Sequence, residues 1–275
     1  MSLPQFHKKI RKIFHTLGLN RPKILRKLHD EILKKQIDFP LTVQGVKMPH
    51  VLLKIYFAET HESETTELFK KVVKEGDTIV DLGSHFGYYS LIGSKLVGKN
   101  GKVFAFEPFH ESLQQLRDGI KANKFTNIIP VQKAVSNTSG EKKFYLSSIS
   151  NGRNTFNEKI PHDSFIPIPS VTLDDYFGDT KIDFIKMDIE GEELNALEGA
   201  KYVIAHNPGI KMTIELSPKT IRSMGMEPKD FLSKIRSYGL KTKLIKSDGA
   251  VEEVSDERLI QEAKRGHINV FCERA

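Results

Sequence analysis

The chemistry this chain offers lies in carboxylates and glycines set at the ends of apolar runs. The segment Gly76-Asp-Thr-Ile-Val-Asp-Leu-Gly-Ser-His-Phe-Gly-Tyr-Tyr-Ser90 contains Asp81-x-Gly83-x-x-x-Gly87, placed where a buried strand turns into a helix. Gly83 is expected to remove a Cβ that would hold a ligand off the turn, and Gly87 to let the helix start pack close to a sheet. The unpaired N–H groups of that helix start suit a carboxylate or phosphate. The next apolar run, Val103–Phe106, ends in Glu107, twenty residues past Gly87. A carboxylate at that distance accepts both hydroxyls of a ribose and disfavours a 2′-phosphate. The glycines do not follow Gly-x-Gly-x-x-Gly, so an adenosine-containing ligand without a pyrophosphate is expected ahead of a nicotinamide dinucleotide.

A third segment, Ile182-Asp-Phe-Ile-Lys-Met-Asp-Ile-Glu-Gly-Glu-Glu-Leu194, brings Asp188 to the end of a strand, with Glu190 close behind. Both are expected to face the ligand crevice. Glu192 and Glu193 read as acids of a first helical turn. Glu215, in Ile214-Glu-Leu-Ser-Pro218, adds a carboxylate to the same rim.

The elements that must hold these groups follow from the apolar periodicity. Strands are expected at 41–46, 51–57, 78–82, 102–107, 127–132, 142–146, 182–188, 210–216, 240–245 and 268–272. Helices are expected at about 63–74, 86–97, 111–123, 192–201, 228–238 and 256–264. This alternation predicts an α/β fold with a mostly parallel sheet covered on both faces. Ser136-Asn-Thr-Ser-Gly140 reads as a hairpin turn. Residues 147–170, with Pro161, Pro167 and Pro169, read as a long loop that shapes the acceptor pocket.

The whole chain sets the outer bounds. Its 275 residues are 39% hydrophobic and 28% charged, which excludes a disordered or collagen-like protein. The longest uncharged run, Leu82–Ser94, is thirteen residues, short of the roughly 20 a membrane-spanning helix needs. No signal peptide is visible at the start, and Cys272, the single cysteine, cannot form an intrachain disulfide. A cytoplasmic protein is expected. Residues 1–40 hold ten Lys and Arg against three acids, while the remainder is balanced, with 32 of each. The predicted organisation is therefore a basic amphipathic helical extension over 1–40 and a second domain over 41–275. Phe6, Ile10, Ile13, Phe14 and Leu17, then Ile24, Leu25, Leu28, Ile32 and Leu33, mark two helices expected to pack on the body. A peripheral contact with anionic lipid is the second reading of this extension, which would place the protein at a membrane surface.

Taken in order, Gly76-Asp77, Asp81-Leu-Gly-Ser-His-Phe-Gly-Tyr-Tyr-Ser90, Phe104-Ala-Phe-Glu-Pro108, Ala134-Val-Ser136, Val171-Thr-Leu-Asp-Asp175 and Ile185-Lys-Met-Asp-Ile-Glu-Gly-Glu resemble the FkbM family of S-adenosylmethionine-dependent methyltransferases. The resemblance spans roughly 76–217 and leaves residues 1–60 outside it. It implies a class I, Rossmann-like methyltransferase sheet of seven strands with the last antiparallel, S-adenosylmethionine as cofactor, and methyl transfer to a hydroxyl oxygen of a sugar, lipid or polyketide-like acceptor. By position, Asp81 and the turn Gly83, Ser84, His85, Phe86 and Gly87 would hold the methionine part. Glu107, beside Pro108, would hold the ribose, the backbone at Ala134 would meet the adenine, and Asp188 would sit by the sulfonium. His85 stands where the family often has a different polar residue and receives only a lining role. The hydroxyl proton must be removed, and Asp188 or Glu190 is the candidate base. A divalent metal on Asp188, Glu190 and Glu215 is the other route to a more acidic hydroxyl, and the sequence leaves it open.

Three rival readings are disfavoured. N-methylation of RNA or protein is disfavoured because Asp188-Ile-Glu-Gly191 stands where such enzymes carry Asp/Asn-Pro-Pro-Tyr/Phe. A nucleotide- or RNA-binding module without methyl transfer is disfavoured because Phe6 and Phe14 belong to an apolar stripe, leaving few aromatics to stack on bases. A nicotinamide-dependent oxidoreductase conflicts with the glycine spacing. The expected partner is a small-molecule or lipid-linked glycan acceptor, with nucleic acid disfavoured and the oligomeric state open.

Overall fold

A computed structural model describes residues 41–48, 62–146, 155–158 and 162–274. The two helices expected in 1–40, the strand at 51–57 and their proposed lipid contact lie outside the described residues. The chain divides into two parts after residue 61. In the first, Leu41–Val43 (β1) and Val46–Met48 (β2) pair antiparallel around Gln44 and Gly45, whose φ values of 51° and 75° suit a tight two-residue hairpin turn.

The second part alternates strand and helix as the periodicity predicts. Its elements are Ser63–Val72 (α1), Thr78–Leu82 (β3), Tyr88–Val97 (α2), Lys102–Phe106 (β4), His110–Asn123 (α3), Ile128–Val131 (β5), Ala134–Val135 (β6) and Gly140–Leu146 (β7). There follow Ser164–Val171 (β8), Leu173–Phe177 (α4), Phe184–Met187 (β9), Glu193–Glu198 (α5), Lys201–His206 (α6), Lys211–Leu216 (β10) and Pro218–Ser223 (α7). The last are Pro228–Ser237 (α8), Leu240–Ile245 (β11), Val251–Glu252 (β12), Asp256–Glu262 (α9) and Ile268–Arg274 (β13).

The main sheet runs β12-β11-β13-β10-β9-β3-β4-β5. Strands β5, β4, β3, β9 and β10 are parallel, and β13 inserts antiparallel between β10 and β11. Seven strands match the expected sheet. The eighth, β12, is a two-residue edge strand after the Asp248-Gly249 turn, and both its residues are exposed, so no apolar signal marks it.

Register assigns the faces. Asp81, Lys186 and Thr213 stand abreast on one face, toward α1 and α2. Val80, Leu82, Ile185, Met187, Met212, Ile214, Val270 and Cys272 fill the other, against Leu197, Val203, Ile221 and Phe231 of the later helices. On the first face the Phe69 ring of α1 meets the Phe184 ring edge-on at 5.2 Å.

Three expectations are corrected. Residues 164–171 form a strand, not the end of a loop, and β6-β8-β7 make a separate three-stranded sheet. The prolines that hide this strand sit where they do no harm. Tyr145 exchanges both backbone hydrogen bonds with Thr155 (2.8 and 3.0 Å), so Glu141, Lys143 and Tyr145 turn away from β8. Their partners Pro169, Pro167 and Phe165 turn away from β7 in the same way, and the ladder loses nothing to a missing N–H. Nor is Ser136–Gly140 a hairpin turn, because β8 lies between the two strands it joins. The helix expected over 192–201 breaks in two at Gly199, where a Cβ would lie 2.2 Å from the Ser136 carbonyl oxygen.

Candidate functional site

At the C-terminal end of β3 the chain turns through Gly83 (φ 73°), Ser84, His85 (φ 50°), Phe86 and Gly87 (φ 91°) into α2. The turn is tied to β4: the Gly83 and Ser84 N–H groups donate to the Phe106 carbonyl at 3.0 and 2.9 Å. Gly83 has a different reason from the one expected. A Cβ there would lie 1.9 Å from the Asp188 carbonyl oxygen, so the glycine admits the end of β9. At Gly87 a Cβ would meet Leu116 of α3 at 2.3 Å, which makes it a helix–helix contact. Ser84 is buried and its hydroxyl has no hydrogen-bond partner. His85 and Phe86 stack edge-on at 4.9 Å and are half-buried.

Glu107 closes the turn from the β4 side. Its Oε2 accepts the His85 N–H at 2.9 Å and its Oε1 the Phe109 N–H at 2.8 Å. Each oxygen retains a further lone pair for a ligand hydroxyl. Burial pushes this carboxyl up to about 7, against the pull of the two N–H donors. Pro108 is buried beside it. Phe109 packs on the cluster of Ala134, Phe144 and Ile168, which brings the second sheet against the Glu107 loop. The turn, Glu107 and Ala134 are therefore gathered in one region, and an orphaned hydroxyl on the turn fits a polar ligand there.

Asp81 is placed deeper than expected. It is 1% exposed and accepts the Ser90 hydroxyl at 2.6 Å. Burial raises its carboxyl above the usual range, while Lys186 and Ser90 pull the other way. Beside it stands Lys186, a residue the sequence reading did not select, buried in a strand otherwise apolar. Its ammonium lies 2.7 Å from Oδ2 of Asp188 and 5.1 Å from the Tyr89 ring centre. Burial alone would lower this lysine, but Asp188, Glu62 and Asp81 outweigh it and hold it above its ordinary value. The Tyr89 hydroxyl in turn donates to Glu62 at 2.8 Å. A charge inside a four-residue run of buried positions is the signal that could have revealed Lys186.

Asp188 emerges at the sheet edge with a quarter of its side chain exposed. Glu190 follows in a left-handed backbone conformation (φ 51°), its carbonyl accepting the Thr155 hydroxyl at 3.1 Å. Burial pushes the Glu190 carboxyl up to about 8, helped by the charges of Asp188 and Glu193. Glu193 accepts the Ile189 and Gly191 N–H groups at 3.1 and 3.3 Å and is raised by burial to about 7. Glu192 is no simple helix cap. It joins Lys142 at 2.6 Å and Ser136 at 2.8 Å, pinning the second sheet to α5. Glu215, raised to about 10 by burial and then by Asp188, Glu190 and Glu193, lies 3.3 Å from Nδ1 of His267. Among the described residues no three His, Cys, Asp or Glu side chains form a group that could hold a metal ion. The set Asp188, Glu190 and Glu215 does not fit a metal.

Five parallel strands, an inserted antiparallel strand, a glycine turn after β3 and an acid closing β4 define a class I S-adenosylmethionine-dependent methyltransferase. The family model described as the methyltransferase FkbM domain matches residues 81–241, more than half of the chain, and the chain belongs to that family. It is 25% identical over 189 residues to the hexuronic acid methyltransferase AglP of Haloferax volcanii, covering 67% of this chain and 72% of that protein. A protein-L-isoaspartate O-methyltransferase of Methanococcus aeolicus is 32% identical over 56 residues, 20% of this chain and 26% of that protein. Among solved structures, a SAM-dependent methyltransferase from Aquifex aeolicus superposes with a TM-score of 0.45 at 20% identity, covering 78% and 92% of the two chains. Among the described residues no helix is long and apolar enough to cross a membrane.

Proposed function

We propose that the protein transfers a methyl group to a hydroxyl oxygen of a sugar acceptor. The observation that carries this reading is a carboxyl pushed up to about 8, Glu190, next to an aspartate fixed by a buried ammonium. A hydroxyl must lose its proton as the new bond forms, and a base poised near neutral pH suits that demand. When bound, S-adenosylmethionine supplies the methyl group on a sulfonium that is already a good leaving group. Glu107 and the Ser84 hydroxyl would hold the cofactor's polar parts at the turn. Lys186 occupies Oδ2 of Asp188 and fixes that carboxylate at the crevice edge, where its charge would face the sulfonium of a bound cofactor. Glu190 takes the acceptor proton. The likeness to the Haloferax volcanii hexuronic acid methyltransferase supports a sugar as the hydroxyl's carrier.

Single-turnover transfer at saturating cofactor tests these roles. Glu190→Gln is expected to slow transfer by about 10²–10⁴-fold, the usual size of a lost acid–base group. Asp188→Asn is expected to slow it comparably and also to lower stability, since a buried ammonium loses its nearest partner. Rates within threefold of wild type for Glu190→Gln would assign the base elsewhere.

A further inference from the structure

Among the described residues three buried side-chain polar atoms have no hydrogen-bond partner: the Ser84 hydroxyl, the Thr213 hydroxyl and Oδ1 of Asn269. Buried polar atoms are nearly always paired, so each such exception calls for a reason. For Ser84 and Asn269 their placement supplies one. Ser84 lies in the turn after β3, and Thr213 and Asn269 lie on β10 and β13, on the far side of Asp188 in the sheet.

Register fixes the geometry. Lys186 on β9 stands beside Thr213 on β10, and Asp188 lies two residues beyond Lys186 on the same face. Glu215 lies two residues beyond Thr213 and directly opposite Asn269 on β13. Directly opposed residues of an antiparallel pair project to one face. Asp188, Glu215 and Asn269 therefore form one row along the sheet's C-terminal edge, and the Asp188 charge acts on Glu215. Asn269 is 6% exposed, and Glu215 is nearly as enclosed, with His267 at 3.3 Å.

We propose that Glu215 and Asn269 form an acceptor subsite for the neutral, hydroxyl-bearing edge of a sugar ring, adjacent to the hydroxyl that is methylated. This rests on the hydroxyl-acceptor reading above and names the part of the ring the site takes. The orphaned amide oxygen of Asn269 needs a donor, which a ring hydroxyl supplies and a hydrocarbon or carboxylate does not. A sugar carboxylate, if present, points elsewhere, because this row already carries the Asp188 carboxylate. An unsatisfied oxygen kept beside the reacting centre lowers the stability of the ligand-free protein and is relieved on acceptor binding.

The test is Asn269→Leu, which removes the amide and keeps the bulk. Melting temperature, affinity for S-adenosylhomocysteine and methyl transfer are measured with p-nitrophenyl glycosides of glucose, galactose and glucuronic acid. The variant is expected to melt about 2–6 °C higher, to bind S-adenosylhomocysteine unchanged, and to show about tenfold higher KM for the glycoside that wild type methylates. A lower melting temperature, a weakened cofactor product, or a KM within twofold of wild type would overturn the subsite. Wild type that methylates none of the glycosides would overturn the sugar-hydroxyl reading itself, and that result is visible without the variant.

Discussion

At Glu107 burial and hydrogen bonding pull in opposite directions. Burial raises the carboxyl to about 7, although two backbone N–H groups favour its charged form. A ligand whose hydroxyls donate to the same carboxylate adds to the second effect and lowers the value further. Cofactor binding at pH 6.5 should therefore release protons, whereas at pH 8.5, where the group is already ionised, it should release few from this site. Calorimetry in buffers of different ionisation enthalpy measures this directly. Glu107→Ala is expected to weaken binding by about 1.5–3 kcal/mol, the range for hydrogen bonds to a charged group, and to abolish the proton release. Unchanged release in the variant would mean that another group titrates. Glu107 was identifiable in the sequence because its position depends on a short, contiguous stretch from turn to strand to acid. Lys186 was not, since its three carboxylate neighbours come from β3, the start of α1 and the end of its own strand.

Among the elements, the crossing of the β3 turn and the end of β9 is the tightest approach in the site. Gly83→Ala would place a methyl 1.9 Å from a backbone oxygen at a residue with φ 73°, so the backbone of one segment must move. The variant is expected to lose more than about 3 kcal/mol of stability, the range of overpacking combined with backbone strain. It should also lose cofactor affinity, because Asp188 moves with its carbonyl. Chemical denaturation and cofactor titration together check both. The sequence marks this glycine but assigns it to the ligand, since its real neighbour lies more than a hundred residues away. The second sheet was illegible for a related reason. Prolines normally argue against a strand, and only the alternation set by Tyr145 and Thr155 shows that Pro167 and Pro169 sit where no β7 bond is needed. The parallel strands, in contrast, were legible from their continuous apolar runs, whose residues lie in the core.

For the molecule as a whole, the raised carboxyls link stability and activity to pH with opposite signs. Glu107 and Glu193 lie at about 7 and Glu190 at about 8, all above the ordinary value of 4.5. The folded protein holds protons that the unfolded chain releases, so their contribution is full below pH 4.5 and is lost as pH rises toward 8. The ligand-free protein is expected to melt at a lower temperature at pH 8.5 than at pH 5.5, and Glu190→Gln should reduce the difference. A melting temperature that rises across this interval would contradict the assignment. With Glu190 in the proposed role of base, transfer is expected to run the other way and to climb toward pH 8 as its carboxyl ionises.

The position of the transferred methyl group decides whether the acceptor atom is a hydroxyl oxygen. Wild-type protein is incubated with S-adenosylmethionine carrying a ¹³C-methyl group and the glycoside it uses, and the product is read by NMR. The expected product is a methyl ether, with the label on a ring hydroxyl oxygen, formed by wild type and not detectably by Glu190→Gln in the same time. Label found instead on nitrogen, or as a methyl ester on a carboxylate, would contradict it.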